Sequence, residues 1–128
     1  MGKDEALMLM RKAGECLTEA QALYNLELYA GSINRSYYSI FNAMQAALQY
    51  KDIMVKTHKG AHIQFNNHFI KTGIFPESIK TSPQKVENLR LKGDYDADHQ
   101  LFQEDAMQAL SMAKEFSLVI NKYFDANH

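Results

Sequence analysis

The sequence predicts an all-α protein, an antiparallel bundle of four to five helices. Three observations carry this. Apolar residues recur at helical spacing in five separate segments. Gly31, Gly73 with Pro76, and Gly93 mark ends between those segments. No stretch alternates polar and apolar residues as a half-buried strand would. With 128 residues the chain has about one domain's worth of material and can bury a core that holds without staples. We therefore expect residues 1–128 to form a single helical domain.

The first segment, 4–26, places Met10, Ala13, Leu17, Ala20 and Tyr24 on one stripe, with Asp4 as N-cap and Glu15 and Glu19 turned away from it. The second, 32–49, follows "AGS", where Gly31 is read as a break and Ser32 as a cap. At about 100° per residue, Ile33, Tyr37, Ile40, Phe41, Met44 and Leu48 share its core face. Arg35, Ser39, Asn42 and Ala46 lie opposite, and Ala43, Ala46 and Ala47 keep the helix slim enough to pack on more than one side. This helix is expected to be central, with Tyr37, Phe41 and Met44 buried. The third segment starts at "KTHKG" with Thr57 as cap and stops at Gly73. Residues 73–82 then read as a connector. Pro83 suits the first turn of a fourth helix that ends at Gly93, and a fifth runs over 104–124 with Ala106, Leu110, Ala113, Ser117, Ile120 and Phe124 on one side.

The formal charge of −1 conceals a division along the chain. Residues 51–93 carry eight Lys/Arg against three acids, while the rest carry six against twelve. A basic middle fits a phosphate-bearing partner, although such runs are more often solvated faces. Only three of the fourteen basic residues are arginines, which argues against reading of base edges. One cysteine, Cys16, excludes an internal disulfide framework. The absence of a long apolar run points to a cytoplasmic protein without a membrane span.

Two constellations carry candidate chemistry. Arg35 lies among Tyr37, Tyr38 and Asn42, on a face that can pair with an acid such as Asp94 or Asp96 or can serve a ligand or a second subunit. Arg90 falls in the last turn of the fourth helix, followed by Asp94, Tyr95, Asp96, Asp98 and His99. These could bind a phosphate and move protons, or could form a solvated turn in which Arg90 complements the helix dipole. His58 and His62 stand one turn apart, as a metal pair can, but no third ligand is evident and "HKGAH" lacks a zinc protease's glutamate. They read as surface histidines, and no metal is expected. Neither GxGxxG nor GxxxxGK[ST] occurs, and no cofactor is expected. Cys16 reads as a packing residue rather than a nucleophile.

Taken together, four stretches resemble a known family. "NRSYYSIFNA", "KTHKG", "FIKTGIFP" and "LRLKGDYD" are similar, in order and spacing, to the "RAYYAxFHA", "KTHKG", "FVKTGxxP" and "LRxxADYD" segments of HEPN-domain proteins. The resemblance spans about residues 5–124. It implies a bundle of four or five helices, commonly a homodimer, often paired with a small nucleotidyltransferase as a toxin–antitoxin system. Some relatives are metal-independent ribonucleases that use an arginine and a histidine with four to six residues between them. Here that window after Arg90 holds Tyr95, Asp96 and Ala97, His99 falls beyond it, and Asn42 replaces the histidine of "FHA". The resemblance thus implies a nucleotide-binding and interaction module, with Arg35, Tyr38, Asn42 and Arg90 as phosphate-binding candidates. The alternative is a ribonuclease toxin with a composite site across a homodimer, in which Arg90, Asp94 and Tyr95 are the catalytic candidates. Nucleotide or RNA, a nucleotidyltransferase protein and a second copy are the expected partners.

Overall fold

The computed structural model describes residues 2–92 in full, the backbone of 93–95, and residues 103–127. Among these described residues five α-helices follow in order: α1 (Gly2–Asn25), α2 (Tyr29–Tyr50), α3 (His58–Phe65), α4 (Ser82–Tyr95) and α5 (Gln103–Ala126). A π-helical turn, Asn66–Ile70, extends α3, and a single 3-10 turn, Glu77–Ile79, precedes α4. No described helix is long and apolar enough to cross a membrane.

Central α2 packs against α1, α5, α4 and α3. Its slim face is what permits this: Ala43, Ala46 and Ala47 are buried, and the hydroxyls of Ser32 and Ser39 donate to the carbonyls of Ala20 and Ala13 on α1 at 2.8 and 2.9 Å. Small residues let the two backbones approach, and these two buried hydroxyls are each satisfied by a carbonyl across the seam. The alanine side of α2, for which a second copy was one expected neighbour, is therefore filled by α1 of the same chain.

That packing also revises the start of α2. Gly31 does not break the chain, and Ser32 does not cap it, because the helix begins at Tyr29 and both residues lie within it. A side chain at Gly31 would come 3.2 Å from Leu23 of α1, so glycine here serves close helix approach. The reversal lies earlier, in a turn closed by Leu28 N–H donating to the Leu23 carbonyl, with Glu27 held at φ 62°. Similarly, α1 starts at Gly2, which puts Asp4 in its first turn instead of at its cap.

Elsewhere the expected stripes are the buried ones. Met10, Ala13 and Ala20 of α1, and Ala106, Leu110, Ala113, Ser117, Ile120 and Phe124 of α5, are buried. Thr57 caps α3 by accepting from the Gly60 N–H at 2.9 Å. Gly73 takes φ 77°, the left-handed conformation glycine favours. The connector after it is anchored in the core, because Phe75 and Ile79 are buried and Phe75 stacks on Phe69 at 4.8 Å. Tyr37 and Met44 are buried as expected, whereas Phe41 is only half-buried at the surface seam described next.

Candidate functional site

Tyr37 and Phe41 are one turn apart on α2, and Tyr38 is about 100° round from Tyr37, so the three rings form a strip along the seams with neighbouring helices. Three cationic or titratable side chains from three helices rest on that strip. The Arg90 guanidinium, from α4, lies 4.8 Å from the Tyr37 ring centre and 5.8 Å from that of Tyr38. Arg35, from α2 itself, lies 5.3 Å from the Tyr38 ring. His58, the first residue of α3, stacks on Phe41 with ring centres 4.0 Å apart, and its Nδ1 is 2.9 Å from the Tyr37 hydroxyl. Guanidinium over an aromatic face is worth roughly 0.5 to 2 kcal/mol depending on desolvation, enough to hold the cation's orientation.

Tyr38 thus carries both arginines on one ring, which brings together three of the residues expected to contact phosphate. The fourth does not join them. Asn42 turns toward α1, where its amide contacts Cys16 Sγ at 3.8 Å. Arg35 pairs with Glu19 of α1 at 3.3 Å. That pair is partly exposed, so it contributes at most about 1 kcal/mol and leaves Arg35 able to exchange partners. Of the remaining candidates, the side chains of Asp94 and Tyr95 at the end of α4, and all of Asp96, Asp98 and His99 beyond it, lie outside the described residues.

Burial and the nearby charge of Glu87 push the Tyr37 phenol up to about 12, against the opposing effect of Arg90. Tyr37 is fully buried, and among the described residues the partner of its hydroxyl is His58 Nδ1. It therefore stays protonated at neutral pH and acts as a hydrogen-bonding group. His62, one turn after His58, is not the surface histidine its position suggested: its side chain is 20% exposed. Its Nε2 lies 3.8 Å from Glu87 Oε2, too far for a hydrogen bond. Burial lowers its pKa, with His58 adding to this and Glu87 opposing it, so the neutral imidazole is favoured in the fold. His58, His62 and Glu87 help line an open pocket of about 370 Å³ between α3 and α4. No group of three or more His, Cys, Asp or Glu among the described residues is arranged to hold a metal ion. Cys16 is buried, and burial raises its thiol pKa despite Arg35 nearby, which suits packing rather than nucleophilic attack.

Sequence reasoning read His58 as a surface histidine and Tyr37 as a core residue, and linked neither to the arginines' site. Tyr37, His58 and Arg90 are separated by 21 and then 32 positions, so no local pattern links them. The available signal was chemical. A tyrosine rather than a phenylalanine at a core position implies a partner for its hydroxyl.

The arrangement offers two guanidinium groups and an imidazole on one aromatic strip, a constellation suited to a phosphate oxyanion. Comparison with known proteins agrees with the fold. Residues 6–123, from the first turns of α1 to near the end of α5, match the family model described as "HEPN domain". "Putative toxin MJ0142" of Methanocaldococcus jannaschii is 33% identical over 121 residues, which cover 94% of this chain and 82% of that protein. "Putative toxin MJ0605" from the same archaeon is 33% identical over 75% of this chain and 72% of its own length. A "UPF0332 protein" of Thermotoga maritima is 29% identical over 90% of this chain and 87% of its own. The chain belongs to the HEPN domain family.

Proposed function

We propose that this protein is a cytoplasmic phosphate-recognising module, one component of a toxin–antitoxin-type pair whose other member is a nucleotidyltransferase. The observation that carries the reading is the pairing of Arg35 and Arg90 on Tyr38. Two cations from separate helices on one ring form a preorganised seat for a nucleotide or for the backbone of an RNA strand, since Arg is the side chain best matched to phosphate geometry. The toxin names of the two archaeal relatives support assignment to a paired system. Co-purification of the tagged protein from its native host, with identification of bound protein and nucleic acid, tests the pairing. Recovery of a nucleotidyltransferase supports it, and recovery of the HEPN protein alone from cells that express both counts against it.

A second reading, a ribonuclease toxin working as a homodimer, is favoured by those same names and by the imidazole of His58 on the hydroxyl of the tyrosine that carries Arg90. Since α1 occupies the alanine face of α2, such a dimer must place the two Arg90 clusters together through another surface. A light-scattering mass of one chain at tens of micromolar protein, or intact cellular RNA after incubation with the protein in EDTA, would remove this reading.

A further inference from the structure

The geometry points to His58 as a ligand-contacting residue of the Arg90 cluster, donating a hydrogen bond from Nε2 to a phosphate oxygen. This rests on the phosphate-binding reading above and adds a residue that the family-like spacing after Arg90 does not supply. Three observations carry it. Tyr37 is fully buried with its hydroxyl 2.9 Å from His58 Nδ1, and among the described residues that contact is where the phenolic proton can go. A buried hydroxyl left without an acceptor is costly, so Tyr37 donates to Nδ1 of the neutral ring. The ring proton then sits on Nε2. If the ring gains a second proton, Nδ1–H donates to the Tyr37 oxygen instead, and Nε2 still carries a proton. Either way Nε2 is a donor, which is what an anion needs.

The second observation is orientation. Phe41 stacks on the imidazole with ring centres 4.0 Å apart, so an otherwise exposed side chain is held in one plane from below and at one nitrogen from the side. A surface histidine fixed by two contacts has lost its freedom before a ligand arrives, which favours binding. Third, Arg90 lies over the face of the same Tyr37 ring whose hydroxyl holds His58, so one phenol sets the position of both groups. Beyond His58 the open pocket between α3 and α4 provides space for the rest of a ligand.

The test uses the full chain and two fluorescent probes, a short single-stranded RNA and an ATP analogue, at fixed salt. His58→Asn keeps an amide near Nδ1 but no donor at the Nε2 position, whereas His58→Gln places an amide N–H near Nε2. The expected result is a loss of affinity of about tenfold or more in His58→Asn, as for a hydrogen bond to a charged group. His58→Gln should recover most of that loss. The probe that shows this pattern identifies the phosphate source as strand or mononucleotide. If Arg90→Ala weakens binding while His58→Asn and wild type bind alike, His58 is a packing residue and the inference falls, leaving the phosphate site intact. Equal weakening by His58→Asn and His58→Gln also overturns it, because the Nε2 donor then has no role. If Arg90→Ala binds like wild type, the phosphate-binding reading itself fails.

Discussion

Replacing Tyr37 with phenylalanine removes one oxygen from the centre of the cluster and keeps the ring on which Arg90 rests. The native hydroxyl is buried 2.9 Å from His58 Nδ1, the acceptor for its proton when the ring is neutral. A hydrogen bond of this kind contributes about 0.5 to 1.5 kcal/mol net. No buried acceptor is orphaned, because His58 is exposed and its Nδ1 can return to water. The expected cost is therefore about 1 kcal/mol, near 3–5 °C in melting temperature for a domain of this size. Urea unfolding followed by circular dichroism at the helix band measures it, and the slope should be unchanged. Adding Tyr37→Phe to His58→Ala should cost little beyond His58→Ala alone, because the bond is already gone. A loss above about 3 kcal/mol, or strict additivity in the double variant, would mean that the phenol is held by something other than His58. The same phenol gives the alkaline limb a sign. Its pKa is raised in the fold to about 12, so its contribution is complete below the unfolded value near 10 and is lost as pH rises from there. Tyr37→Phe should flatten that limb.

On the acid side, the lowered pKa of buried His62 means the unfolded chain takes up this proton first, so stability should begin to fall as pH drops through about 6.5; His62→Gln should lessen that fall in pH-dependent denaturation. Buried Cys16, with its raised pKa, should react slowly with a thiol reagent in the native protein and at the rate of a free thiol after unfolding. Glu27 sits at φ 62°, so Glu27→Gly should raise stability by about 0.5 to 1 kcal/mol, the left-handed strain relieved less the entropy glycine adds to the unfolded chain; a loss in urea denaturation would show that the Glu27 side chain matters to the turn.

The helices and most of their inward faces were legible in the sequence because they depend on local period and composition. Ala106, Ala113, Ile120 and Phe124 fall on one stripe of α5 by spacing alone, and Thr57 announces its cap three residues before the amide it binds. Gly31 and Ser32 were misread because a glycine beside a serine is also the signature of a helix start. Only the proximity of Leu23 and the Ala20 carbonyl, both on α1, shows that the pair belongs to a helix seam. The face of Asn42 and Ala46 was misread for the same reason, since a helical wheel shows which residues are small or polar but not which neighbour fills the space. The site was half legible. Arg35, Tyr38 and Arg90 were named as candidates in two separate stretches, whereas their meeting on one ring depends on how α2 and α4 meet, and the tie between Tyr37 and His58 on how α2 and α3 meet.

The central claim is that Arg90, on the Tyr37–Tyr38 strip, seats a phosphate. Its most direct test is the affinity of folded Arg90→Ala for single-stranded RNA and for nucleotide, measured by fluorescence anisotropy over a series of salt concentrations, with circular dichroism confirming the helix content. The account predicts a loss of about tenfold or more at low salt for the probe that binds. If that probe is RNA, the dependence of log affinity on log salt should fall by about one charge's worth. Wild-type affinity and an unchanged salt slope in the folded variant would contradict it.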